Sequence, residues 1–207
     1  MHLYLASTSP ARLSLLRAAG IEPIVMPSHV DEAAAVLAAE AEHGPLSAEA
    51  TVHLLARLKA EAVRDEFIDG LILGGDSVFE FDGTIYGKPH EPAAARARWL
   101  AQRGQTGILH TGQWLIDHRS GTAVNAVGAT AKARVTFADV TEHEIDTYIA
   151  TGEPLEVAGA FTVDSLGAPF IRSVEGDPST VVGLSLSTLR ELVRQLGIEW
   201  TTLWNRL

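Results

Sequence analysis

Short apolar runs alternate with longer stretches of helical period along this chain, and that alternation restricts it to α/β or α+β architecture. Residues 2–6 predict a buried strand. Ser9 then stands as an N-cap with Pro10 at the first helical position, and Leu13, Leu15 and Leu16 give that helix its apolar side. Gly20 ends it, and residues 21–26 predict a second strand. The Ala-, Glu- and Leu-rich segment 31–66 predicts two helices broken at Gly44-Pro45. Residues 71–73 predict a buried strand that runs out into Gly74-Gly75-Asp76, and Asp82-Gly83 between residues 78–81 and 84–86 is a hairpin signal. A helix follows over 93–102, then strands over 108–117 and 123–137 around Ser120-Gly121. Thr141-x-x-Glu144 is a capping box opening a helix to Ala150. The Gly- and Pro-rich segment 152–183 predicts loops around a strand at 169–174, and 187–196 a closing amphipathic helix stopped by Gly197. No repeat, low-complexity tract or linker divides residues 1–207, which are read as a single domain.

Composition narrows the partners. With 46% hydrophobic and 20% charged residues, the chain can bury a substantial core. Its 26 Asp and Glu outnumber 16 Lys and Arg, for a net charge of −10. An acidic surface repels DNA and anionic lipid, so neither a nucleic-acid polymer nor a membrane is expected as partner. A small anionic ligand in a locally basic pocket stays open. The chain has no cysteine, which removes disulfides, thiolate metal sites and thiol nucleophiles and fits a reducing compartment. The opening MHLYLASTSPARLSLL lacks a basic n-region and an unbroken apolar core, and no apolar run approaches the ~18 residues that span a bilayer. A soluble cytoplasmic protein is the expectation.

Common chemical motifs are missing. There is no GxxxxGK[ST] loop and no GxGxxG fingerprint. His143-Glu144 begins a zinc-protease pattern, but Thr147 stands where the second His belongs. Gly183-Leu184-Ser185-Leu186-Ser187 lacks the second Gly of a nucleophile elbow.

Three constellations remain. Ala6-Ser7-Thr8-Ser9-Pro10-Ala11-Arg12 runs from a strand through hydroxyl residues into a helix start, which suits an anion; an ordinary N-cap explains the same residues. Asp76 in Gly74-Gly75-Asp76-Ser77 follows a buried strand, where α/β sheets gather ligands; a turn Asp is the plain alternative. Third, 13 Arg accompany only Lys59, Lys88 and Lys132. A Lys where Arg serves elsewhere marks a need for a compact charge, unless codon bias alone accounts for it. Lys88 lies in Gly87-Lys88-Pro89 after the hairpin, and Lys59 lies on a helix beside Ala56 and Ala60, small enough for close approach.

In order along nearly the whole chain, LASTSPARLSLLRAAGI, LARLKAEAV, GGDSVFEFDGTIYGKP, TGEPLEVAGAF and GDPSTVVGLSLSTLRELV resemble the signatures of the Maf family of nucleoside triphosphate pyrophosphatases, once described as septum-formation inhibitors. Actinobacterial-type members look closest in the GDPST and LGAPF segments. The resemblance implies an elongated, two-lobed mixed sheet flanked by helices around a deep nucleotide-binding cleft. It implies hydrolysis of a nucleoside triphosphate to the monophosphate and pyrophosphate with a divalent cation, Mg²⁺ or Mn²⁺, and a role in clearing non-standard nucleotides. By position, Asp76 is the proton acceptor, Ser7, Ser9, Arg12, Lys59 and Lys88 hold the triphosphate, and Asp76 with Glu32 binds the metal. A homodimer is the family's expected assembly.

Three positions depart from the family pattern, and all bear on specificity. Ala11 replaces the first of two consecutive basic residues, Ser77 a Thr, and Asp164, followed by Ser165, a base-reading Gln. Two other functions were weighed: a nucleotide-binding regulator of cell division with little or no turnover, and a phosphomonoesterase. The intact Asp76 disfavours the first, and the absence of a two-Asp nucleophile motif disfavours the second.

Overall fold

The strand expected at residues 71–73 continues through the glycines that follow it. In the computed structural model, which describes residues 1–119 and 122–206, β3 runs Gly70–Phe81 and takes in the whole Gly-Gly-Asp-Ser segment. The two glycines admit close neighbours on opposite faces and do not end the strand. A Cβ on Gly74 would stand 2.0 Å from the Ala56 carbonyl oxygen, and one on Gly75 would stand 3.1 Å from Arg12 Nε.

The other strands are β1 (Leu3–Leu5), β2 (Ile24–Val25), β4 (Thr84–Tyr86), β5 (Thr106–His118), β6 (Asn125–Phe137) and β7 (Ile171–Glu175). They form one mixed sheet of order β2-β1-β3-β5-β6-β7, with β4 also on β3. β1 is parallel to β2 and to Leu71–Leu73, whereas β5, β6 and β7 add antiparallel. β4 pairs with Phe79–Phe81 through a tight turn in which Asp82 and Gly83 have φ of 48° and 70°, as a type I′ hairpin requires. Helices α1 (Pro10–Ala18), α2 (Glu32–His43), α3 (Ala48–Ala62), α4 (Pro92–Gln102), α5 (Glu142–Ala150), α6 (Pro178–Val182) and α7 (Leu186–Gln195) flank the sheet. Ser9 caps α1, and the Thr141/Glu144 box is closed in both directions at the start of α5. β2 is shorter than expected, α6 lies within the segment expected to form loops, and the turn expected at Ser120-Gly121 lies outside the described residues.

Alternation along β3 sorts its side chains between two faces. Leu71 and Leu73 join Leu3, Leu5, Leu16, Leu189 and Val193 in one core. Phe79, on the same face, joins Trp99, Phe137, Tyr148 and Phe161 in a second core under α4 and α5. Phe79, Phe137 and Phe161 meet edge to face, each pair adding about 0.5–1.5 kcal/mol beyond burial. Between these cores the face is polar, with Ser77, Thr111, Gln113, Thr180 and Ser185 all buried or nearly so. On the opposite face Ile72 packs with Ala60, Val63 and Ile116 beneath α3. Among the described residues, no helix is long and apolar enough to cross a membrane.

Candidate active site

The polar interval falls where β3 changes partner. β1 pairs with Leu71–Leu73 and β4 with Phe79–Phe81 along the same edge, so among the described residues no strand covers 74–78 there. Asp76 sits at the middle of that gap, 7% exposed, with its side chain on the α3 face.

α3 reaches Asp76 because two glycines lie beneath it. Gly74, and Gly112 opposite Asp76 on β5, would each drive a Cβ into α3 backbone, at 2.0 Å from the Ala56 oxygen and 2.2 Å from the Val52 oxygen. Ala60 completes the contact, its Cβ 3.0 Å from the Gly74 position. With the helix seated this closely, Lys59 Nζ lies 2.7 Å from Asp76 Oδ1 and 2.7 Å from Glu32 Oε1 at the start of α2. Lys59 and Asp76 are buried, while the Glu32 side chain is half exposed. Burial pushes the Asp76 carboxyl above its ordinary value, against the opposing pull of Lys59 and Arg12.

Arg12 approaches from the other face. Its Nε donates to the Gly183 carbonyl at 2.7 Å, Nη1 to Ser7 Oγ at 3.1 Å and Nη2 to Ser77 Oγ at 3.1 Å. Every one of these acceptors is neutral, so the buried guanidinium keeps its charge uncancelled by direct contact. Burial lowers its pKa from the usual arginine value, and the charges of Asp76 and Glu32 oppose that shift. Ser7 Oγ also accepts the Ser9 amide at 3.1 Å, and Ser9 Oγ accepts the Arg12 amide at 3.4 Å as the α1 cap. Ser77 Oγ meets Thr111 Oγ1 at 2.8 Å, and Thr111 donates on to the Thr180 carbonyl at 2.9 Å.

The structure thus brings Ser7, Ser9, Arg12, Glu32, Lys59, Asp76 and Ser77 together. Ala11 is half-buried on the first turn of α1. Lys88, two residues beyond the end of β4, is half exposed and 3.9 Å from Glu156, and among the described residues no hydrogen bond or ion pair joins it to Asp76. Asp164 is exposed on the turn after Phe161. That turn is fastened by Glu153, whose carboxylate accepts from Tyr148 Oη, Thr162 Oγ1, Ser165 Oγ and the Leu166 and Gly167 amides. Sequence reasoning missed the Gly183 carbonyl and Thr111. A backbone oxygen leaves no side-chain signal, and Thr111 looks like any strand residue.

A family model described as Maf-like protein matches residues 2–196. The nucleoside triphosphate pyrophosphatase of Leifsonia xyli subsp. xyli is 75% identical over 210 residues, covering 100% of this chain and 98% of that protein. The protein of the same name from Salinispora tropica is 50% identical, covering 100% and 88% respectively, and that from Streptomyces coelicolor 46%, covering 98% and 94%. Among solved structures, the Staphylococcus aureus Ham1 protein overlaps at a TM-score of 0.44 with 9% identity, covering 95% of this chain and 100% of that one.

Proposed function

The chain belongs to the Maf family, and from that premise we propose that it hydrolyses nucleoside triphosphates to the monophosphate and pyrophosphate at Asp76. The observation that carries this is a buried carboxylate held between two cations, Lys59 at 2.7 Å on one face of β3 and Arg12 reaching in from the other. Phosphoryl transfer asks little covalent chemistry of a protein and much positioning of charge. Arg12 and Lys59 bind and orient the triphosphate, with Ser7 and Ser9 at the start of α1. Asp76 accepts the proton of a water whose oxygen bonds to the α-phosphorus while the bond to the α,β-bridging oxygen breaks. The bridging electron pair leaves with pyrophosphate. Lys59 donates to Oδ1, and among the described residues Oδ2 accepts no hydrogen bond. Burial that raises the Asp76 pKa makes the carboxylate a better proton acceptor.

The family implies a divalent cation, and the donors present suit one. Glu32 and Asp76 converge on the same Nζ, so two carboxylates from separate elements face one point. Mg²⁺ and Mn²⁺ favour hard oxygen donors, and Mg²⁺ is commonly held by one or two carboxylates, with water and phosphate oxygens completing its shell. Asp76 and Glu32 would hold it, and when bound it offsets charge developing on the phosphates.

Base selection belongs to Asp164 in this reading. An ionised carboxylate only accepts, so it favours edges bearing N–H donors, such as guanine N1 and N2 or uracil and thymine N3. Non-standard nucleotides presenting such edges are the class the enzyme clears.

One experiment tests the whole. The protein is incubated with standard and modified triphosphates plus Mg²⁺ or Mn²⁺, and products are identified. Pyrophosphate with monophosphate is expected, and Asp76→Asn should lower turnover about 10²–10⁴-fold with unchanged circular dichroism. Binding without turnover would favour a regulator, and inorganic phosphate alone a phosphatase. Asp164→Gln in the same panel should reorder UTP, dTTP, GTP and CTP; an unchanged order removes Asp164 from base selection.

A further inference from the structure

Asp177 lies far along the chain from Arg12, yet a continuous set of contacts joins them. Its Oδ1 accepts from the Ser179 amide at 2.9 Å and the Ser179 hydroxyl at 2.6 Å, which caps α6. Its Oδ2 accepts from the Ser185 hydroxyl at 2.8 Å and from the Ser187 amide and hydroxyl at 3.2 and 2.7 Å, all at the start of α7. One carboxylate therefore fixes the beginning of α6 against the beginning of α7. Partial burial pushes this carboxyl up, but the bonds from Ser179, Ser187 and Ser185 together outweigh it and hold it well below the usual range. Asp177 is thus ionised throughout the neutral range.

The residues clamped between those helix starts include Gly183. Its φ of 122° lies in the region that favours glycine, and its amide donates to the Ser179 and Thr180 carbonyls. The Leu186 amide returns to Ser179 Oγ at 2.9 Å, so both sides of Gly183 are tied to Ser179, which Asp177 holds. The Gly183 carbonyl is what Arg12 Nε meets at 2.7 Å. Of the three acceptors of the guanidinium, Ser7 and Ser77 are hydroxyls on rotatable bonds, and only this carbonyl is fixed in direction. A guanidinium is a rigid plane, so fixing its Nε–H bond sets where its remaining donors point.

We propose that Asp177 is a positioning residue for Arg12: by holding α6 against α7 it fixes the Gly183 carbonyl, and that carbonyl aims the guanidinium at the substrate phosphates. This rests on the reading above that Arg12 binds those phosphates. In this reading the contribution of Asp177 passes through Arg12, since both of its oxygens are taken by serine donors at the starts of α6 and α7.

A double-mutant cycle separates this role from a purely structural one. Asp177→Ser keeps a short oxygen to cap Ser179 but cannot reach Ser185 and Ser187. It should lower kcat/KM about tenfold, the loss of roughly one charge-assisted bond. In an Arg12→Ala background the same change should cost less than about twofold, because no guanidinium remains to be aimed. Equal losses in both backgrounds, or no loss in the wild-type background, overturn the proposal and leave the function intact. An Arg12→Ala variant as active as wild type overturns both. If Asp177→Ser does not fold, Asp177→Asn runs the same cycle, since it keeps Oδ1 and removes the oxygen that accepts the Ser187 amide.

Discussion

Adding one methyl group at Gly74 should damage the site without touching any charged residue. In Gly74→Ala the new Cβ would begin 2.0 Å from the Ala56 oxygen and 2.8 Å from the Ala60 amide nitrogen, both rigid helix backbone. Carbon atoms of this kind essentially never approach closer than 3.0 Å, so α3 must lift by at least 3.0 − 2.0 = 1.0 Å. The same lift carries Lys59 from 2.7 Å to about 3.7 Å from Asp76, outside hydrogen-bond range. Overpacking of this size costs about 1–3 kcal/mol, or roughly 2–12 °C in Tm for a chain of this length. Loss of the aligned Lys59 charge should lower kcat/KM about ten- to 150-fold. The assay pairs thermal melts with pyrophosphate release well below the new Tm. Gly87→Ala is the control for stability, because nothing lies within 4 Å of its Cβ position and its φ is ordinary. A Gly74→Ala enzyme with wild-type Tm and kcat/KM would refute the account of why α3 sits where it does.

Two further outcomes are expected. Lys59→Ala should lower kcat/KM by the same ten- to 150-fold, whereas Lys132→Ala, whose partner Glu49 is half exposed like itself, should change stability by at most ~1 kcal/mol and leave activity alone; steady-state kinetics that fail to distinguish the two remove the lysine argument. Glu153, partly buried and desolvated, is nonetheless held by hydrogen bonds from Ser165, Thr162 and Tyr148 at about 2, below its ordinary 4.5. A depressed carboxyl stabilises the fold above its unfolded value and loses that contribution as pH falls through the folded one. Wild type should therefore exceed Glu153→Gln in Tm at pH 6, and the gap should close between pH 4.5 and about 2; a gap constant with pH would exclude the ionised carboxylate as its source.

What could be read from the sequence was what local chemistry dictates. Ser9-Pro10, Asp82-Gly83 and Thr141/Glu144 each determine a cap or turn within a few residues, and each forms as expected. Gly74 and Gly75 misled because their role is tertiary. They read as the end of a strand, while the reason for them lies on α3 and on Arg12. Lys59, Asp76 and Glu32 could each be named from the sequence, but not that one ammonium meets both carboxylates, since the three come from separate elements. The signature at 176–193 names no site residue of its own in the sequence, because what it offers the site is a backbone oxygen at Gly183.

Two of the hydrophobic cores lie on the same face of the sheet, and continuous strands join them. β3, β5 and β6, of 12, 13 and 13 residues, run unbroken beneath both, each about 40 Å of hydrogen-bonded rail. Swinging one core against the other would mean bending all three at once, and every ladder bond between them resists. The distance across the polar interval is therefore set by strand length, in the way sleepers set a railway gauge, and the sheet cannot close over that interval as a pair of jaws would. Whatever closes over a bound nucleotide must be something lighter that moves on its own. α2, which buries none of its residues and carries Glu32 at its first turn, is the element free enough to do it. Hydrogen exchange should show its amides opening well before those of β5; equal protection of the two would place the moving part elsewhere.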